Sequence, residues 1–131
     1  MDCKLIHSMI RVQDLNRAAE FYRRGFGLEE THRMEFPTFT LLYLREPESG
    51  YEIELTWNKG QAEPYTHGSA YGHMAFCVED LEAQHARLQG LGYSAGDLKD
   101  LVAPSGAARF FFVTDPDGYK IEVLQRAGHY V

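Results

Sequence analysis

Four side chains in this chain of 131 residues pair reactive chemistry with repeated position: His7, Glu54, His73 and Glu122. Glu54 lies in Gly50-Tyr51-Glu52-Ile53-Glu54-Leu55, a stretch that returns 68 residues later as Gly118-Tyr119-Lys120-Ile121-Glu122-Val123. His7 opens a run that ends in Val12-Gln13-Asp14-Leu15. His73, 66 residues on, opens one that ends in Val78-Glu79-Asp80-Leu81. Two offsets this close mark an internal duplication, in which each half has one His near its start and one Glu near its end. A single Glu in a strand is most often a solvated residue, and a single His most often a structural one. Recurrence of both types at equivalent points is what chance does not readily supply. Two such halves facing each other bring together two imidazoles and two carboxylates. These are hard or borderline donors suited to Zn, Ni, Co, Mn or Fe and ill suited to Cu(I). On a five- or six-coordinate ion the set leaves positions open for chemistry, and one of its carboxylates is a candidate base.

The elements that must position these residues follow from periodicity. From Lys4 to Val12, Ile6, Ser8, Ile10 and Val12 alternate with His7, Met9 and Arg11, so a strand puts His7 and Arg11 on one face. Asp14 is placed to cap a helix with Leu15, Ala18, Ala19, Tyr22 and Phe26 along its apolar side, stopped by Gly25 and Gly27. Strands follow over 29–36, 39–45 and 51–57, the last two separated by the turn Glu46-Pro47-Glu48-Ser49-Gly50. In 51–57, Glu52, Glu54 and Thr56 share one face and Ile53, Leu55 and Trp57 the other. The second half repeats the plan. A strand over 70–78 is followed by a helix capped by Asp80, with Leu81, Leu88 and Leu91 on it and Gly90 and Gly92 at its end. A short strand over 93–98, a mobile loop over 102–108, a strand over 109–114, the Asp115-Pro116-Asp117-Gly118 turn and a final strand over 119–125 complete it. The fold class is therefore α+β, two repeated β-α-β-β-β modules with curved mixed sheets. By length it is a single domain over 1–131, with module one at about 1–58, a polar link at about 59–69 and module two at about 70–131.

Composition narrows the function classes. A net charge of −6 argues against a nucleic-acid partner, which calls for a basic face. No run approaches the length of a membrane helix, and the N-terminal residues lack the layout of a secretory signal, so a cytoplasmic location is expected. Cys3 and Cys77 form no CxxC motif. There is no GxGxxG, GxxxxGK[ST] or GxSxG, so nucleotide binding and Ser-triad hydrolysis have no support. His85 reads as structural, and His32, His67 and His129 as surface residues.

The motifs that carry these residues resemble the glyoxalase I family of the vicinal oxygen chelate superfamily. They are His7-Ser8-Met9-Ile10-Arg11-Val12 with Asp14-Leu15, Glu52-Ile53-Glu54-Leu55-Thr56-Trp57-Asn58, Ala70-Tyr71-Gly72-His73, and Asp115-Pro116-Asp117-Gly118-Tyr119-Lys120-Ile121-Glu122. The last is shared across much of the superfamily, whereas the set of four is more specific. The resemblance implies a divalent metal held by His7, Glu54, His73 and Glu122, nickel or cobalt favoured over zinc by the compact length, with Glu122 as catalytic base. It implies that Arg11 and Asn58 hold the γ-glutamyl end of glutathione, the co-substrate. The reaction implied is isomerisation of the hemithioacetal of methylglyoxal and glutathione to S-lactoylglutathione, in a homodimer whose sites lie between chains. Two departures bear on the thiol: Ser69 stands where some longer members have Arg, and the loop before the last motif, Ala103 to Arg109, lacks the family's carboxylate-binding Lys. Lys99 and Arg109 are the nearest replacements. Relatives with similar cages are the alternatives. Methylmalonyl-CoA epimerase-like enzymes typically have Gln in place of Glu54, and extradiol dioxygenases and fosfomycin-modifying enzymes use three ligands. Drug-sequestering modules of the bleomycin-resistance sort generally lack the metal ligands.

Overall fold

Asp14 and Asp80 start the two helices by the same local bond, a carboxylate oxygen accepting the backbone N–H three residues on, from Arg17 and Ala83 respectively, each at 3.0 Å. The computed structural model describes residues 1–131 and divides into two units, Met1–Thr66 and His67–Val131. Unit one contains β1 (His7–Val12), α1 (Leu15–Phe26), β2 (Glu29–Glu35), β3 (Phe39–Arg45) and β4 (Glu52–Asn58). Its sheet has the order β1-β4-β3-β2, with β1 parallel to β4 and the other pairs antiparallel. α1 packs on β3 and β4 through Leu15, Ala18, Ala19, Phe21 and Tyr22, against the buried Ile10, Val12, Leu42, Leu44, Ile53 and Leu55 side of the sheet. Burying a side chain of this size stabilises by roughly 1.5–3 kcal/mol. The helix runs through Gly25, which is buried within it, and stops at Gly27, whose N–H bonds the carbonyl of Arg23 and whose left-handed φ of 71° turns the N–H of Leu28 back to the carbonyl of Tyr22.

Unit two contains β5 (Met74–Val78), α2 (Leu81–Gly90), β6 (Ser94–Ala95), β7 (Lys99–Ala103), β8 (Gly106–Thr114) and β9 (Lys120–Gln125). The sheet order is β5-β9-β8-β6, with β7 also on β8 and β5 parallel to β9. Leu81, Leu88, Phe111, Val113, Ile121 and Val123 form its core. Here the structure adds a strand to the expected module. The segment read as a mobile loop over 102–108 is a hairpin, paired from Lys99↔Phe110 to Ala103↔Gly106 around Pro104-Ser105. The backbone of β7 is satisfied by β8 although every side chain in β7 is exposed, so its residues show no core-facing alternation. No helix is long and apolar enough to cross a membrane.

An acidic residue organises the turn before each Glu-bearing strand. The Glu46 carboxylate accepts the N–H groups of Glu48 and Ser49 at 2.8 and 2.6 Å. Asp115, 4% exposed, accepts those of Asp117 and Tyr119, both at 2.9 Å. Gly50 and Gly118 close the turns at φ 78° and 85°, angles at which a β-carbon is strained. The link between modules is also anchored: Gln13 donates to the carbonyl of Ala62 at 2.8 Å, and the His67 ring stacks on Tyr119 at 4.1 Å. The stacking corrects the reading of His67 as a surface residue, since its Nε2 is buried. Because Asp115 satisfies two backbone donors at the entry to β9, Asp115→Ala is expected to destabilise the protein by about 1–3 kcal/mol. Urea unfolding followed by circular dichroism measures it, and an unchanged midpoint would contradict this role.

Candidate functional site

In both units the His and the Glu reach the same sheet face by the same path. Met9 pairs with Glu54 across β1 and β4, and Ala75 with Glu122 across β5 and β9. The histidine stands two residues before that pair in each case, as His7 in one and His73 in the other. A two-residue step in an extended chain returns to the same face. Ile53, Leu55, Ile121 and Val123 turn to the helix side and are buried, which leaves the intervening Glu54 and Glu122 on the opposite, partly open side. His73 Nε2 lies 3.6 Å from Glu122 Oε1, with the two side chains 42% and 17% exposed.

Tyr43 of β3 is the third member of the first pair. It lies opposite Glu54 in the antiparallel register, and its hydroxyl donates to Glu54 Oε1. Its ring meets that of His7 edge-on at 5.6 Å and that of His32 at 5.7 Å. The hydrogen bond to Glu54, then burial and the negative charges of Glu54 and Glu52, push the Tyr43 phenol up to about 12. It therefore remains a protonated donor across the neutral range. Glu52, on the same face, is engaged elsewhere: Thr31 donates to it and the Arg45 guanidinium lies 3.4 Å away. In unit two the position opposite the carboxylate is Phe112, edge-on to His73 at 5.3 Å.

Each unit thus presents a His/Glu pair on the open face of its sheet, His7 with Glu54 and His73 with Glu122, with Glu52 beside the first pair. The chain assembles no cluster of three or more His, Cys, Asp or Glu side chains able to hold an ion. The donors fit half of a divalent-metal site, twice over.

Arg11 is exposed on the face of β1 that carries His7, four residues along and about 13 Å away by strand geometry. Asn58, at the end of β4, donates through Nδ2 to the Tyr65 hydroxyl at 3.1 Å. Arg109, one of the two nearest replacements for the loop Lys, sits in β8, bonded to Glu82 at 2.8 Å with Asp100 at 3.7 Å, away from the hairpin tip. Lys99 begins β7 opposite Phe110, at the other end of the hairpin from that tip. His85 is structural as expected, with Nε2 2.7 Å from the carbonyl of Gly96 and its ring against Phe111. Sequence reasoning missed Tyr43 because 39–45 reads as a largely apolar strand. The signal that finds it is the hairpin register, since a turn over 46–50 places residue 43 opposite residue 54.

Residues 4–123 match the family model described as Glyoxalase/Bleomycin resistance protein/Dioxygenase superfamily. The chain is 38% identical over 128 residues to the lactoylglutathione lyase of Haemophilus influenzae, covering 93% of this chain and 92% of that protein. It is 34% identical over 131 residues to the lactoylglutathione lyase of Neisseria meningitidis, covering 94% and 91%. Among solved structures it is similar to a glyoxalase I of Leishmania major described as trypanothione-dependent, with 34% identity and a TM-score of 0.78, covering 95% of this chain and 87% of that one.

Proposed function

This chain belongs to the glyoxalase/bleomycin resistance protein/dioxygenase superfamily, and from that premise we propose that it is a lactoylglutathione lyase. It isomerises the hemithioacetal of methylglyoxal and glutathione to S-lactoylglutathione, without net oxidation. The observation that carries this reading is the pair of His/Glu half-sites at equivalent positions, in a chain that matches lactoylglutathione lyases over nine-tenths of their length.

His7, Glu54, His73 and Glu122 hold the metal. In this reading unit one of one subunit pairs with unit two of a second copy in a homodimer, so that each site draws its ligands from two chains. The ion supplies Lewis-acid stabilisation of the negative charge that develops on the substrate oxygens. Nickel or cobalt is favoured by the compact length, with zinc the alternative. Glu122 takes the proton from the carbon beside the carbonyl and returns one to the neighbouring carbon, so the C–H bond broken at one carbon is replaced by one formed at the next. Its side chain is part-exposed, so the hemithioacetal can approach it. Arg11 meets the glutathione far from the reacting carbons, where its planar guanidinium grips a carboxylate through two parallel bonds. Asn58 adds a polar group at the adjoining strand end.

Purified protein is expected to retain one divalent metal per site by elemental analysis and to form thioester from methylglyoxal and glutathione. Glu122→Gln keeps the fold and lowers kcat by about 10²–10⁴-fold, because an amide cannot accept the proton. Near-normal turnover in a metallated Glu122→Gln protein would remove Glu122 as the base.

Arg11→Ala is expected to raise KM for the glutathione hemithioacetal with metal content unchanged, and to lower kcat less than kcat/KM. The same reaction with a thiol lacking a free glycyl carboxylate is a second reading, favoured by the hairpin tip at Pro104-Ser105, which has no Lys, and by the engagement of Arg109 with Glu82. An unchanged KM in Arg11→Ala would remove Arg11 from recognition of glutathione. Comparing kcat/KM for glutathione with that for its glycyl amide separates the two readings.

A further inference from the structure

The two half-sites share a His, a Glu and an aromatic ring opposite the Glu, and the two rings differ by one oxygen atom. Tyr43 lies opposite Glu54 and Phe112 opposite Glu122. Each ring stands edge-on to the histidine of its own pair, at 5.6 Å and 76° in unit one and 5.3 Å and 75° in unit two. The duplication has therefore kept the aromatic ring, its strand position and its contact with the imidazole. The difference is the hydroxyl, which Tyr43 donates to Glu54 and Phe112 lacks. The polar neighbour of Glu122 is His73 Nε2, at 3.6 Å, beyond the usual reach of a hydrogen bond.

We infer that residues 43 and 112 divide the labour between the two carboxylates. Tyr43 is a positioning residue whose hydroxyl fixes Glu54 as a stationary ligand, while Phe112 leaves the Glu122 carboxylate free to turn toward substrate and carry a proton. The inference rests on the lyase reading for the proton-transfer half and on the half-site geometry alone for the ligand half. A carboxylate with one oxygen bonded to a neighbouring hydroxyl loses rotational freedom before an ion arrives, so less ordering remains to be done on binding. A carboxylate that must pick up a proton and deliver it to the adjacent carbon needs the freedom that such a bond removes. Neighbouring donors offer no equivalent second hold on Glu54: Thr31 and Arg45 are directed to Glu52.

Two single substitutions exchange the oxygen. Co²⁺ binding to metal-stripped protein, measured by competition with a chromophoric chelator, reads the ligand half without reference to activity. Tyr43→Phe, which removes one atom from a part-exposed side chain, is expected to weaken Co²⁺ binding about 10–100-fold with an unchanged circular dichroism spectrum. Saturating metal should restore most of its kcat. Phe112→Tyr is expected to bind Co²⁺ at least as tightly as the unaltered protein and to lose about tenfold or more in kcat at saturating metal, with KM little changed. Equal Co²⁺ affinity in folded Tyr43→Phe overturns the ligand half, and undiminished kcat in Phe112→Tyr overturns the proton-transfer half. Failure of the lyase reading looks different: the unaltered protein forms no thioester, while the Co²⁺ titration of Tyr43→Phe still reports on Glu54.

Discussion

In β4 the buried Ile53 and Leu55 flank Glu54, and in β9 the buried Ile121 and Val123 flank Glu122. These two strands tie the stability of each unit to its chemistry through register. A slip of one residue would carry each carboxylate to the helix side and each aliphatic pair into the open. Burying an unpaired carboxyl in that core costs several kcal/mol, a large share of what a domain of this size has in reserve. The position of the acid is thus enforced by the packing of its neighbours. The turns reinforce the same register, since Glu46 and Asp115 each bind two N–H groups at the point where the chain reverses into the strand.

The parallel partner of each Glu-bearing strand is the first strand of its unit, with the helix and the remaining strands lying between them in sequence. A long crossover of this kind closes only when the helix is seated on the sheet. The imidazole and the carboxylate therefore come together only in the folded unit. Nothing local in sequence joins His7 to Glu54 or His73 to Glu122. What joins them is the burial of Leu15, Tyr22 and their counterparts Leu81 and Leu88. Packing on one face assembles the chemistry on the other.

Much of this was legible in the residues. The caps Asp14 and Asp80, the alternation around Glu54 and Glu122 and the 66- and 68-residue offsets follow from local rules, and the helices and central strands lie where those rules put them. Gly25 misled because a glycine reads as a stop, yet here it is a buried position inside the helix. The β7–β8 hairpin was hidden because β7 is exposed throughout and carries no core-facing pattern. Tyr43 escaped for a related reason. A tyrosine in an apolar strand looks like core until cross-strand register shows which carboxylate its hydroxyl meets. The likeness of Tyr43 to Phe112 is also a matter of register, and single-strand periodicity does not reveal it.

We propose that one His/Glu pair from each of two copies completes a working site. Subunit exchange between two inactive proteins, His7→Ala and Glu122→Gln, tests it most directly. In a mixed dimer one site carries both lesions and the other neither. An equimolar mixture after full exchange should therefore recover about a quarter of the unaltered specific activity, as half of the dimers are mixed and half of their sites intact. No recovery, with exchange verified by mass spectrometry of differently tagged chains, would contradict the account and place each site within a single chain.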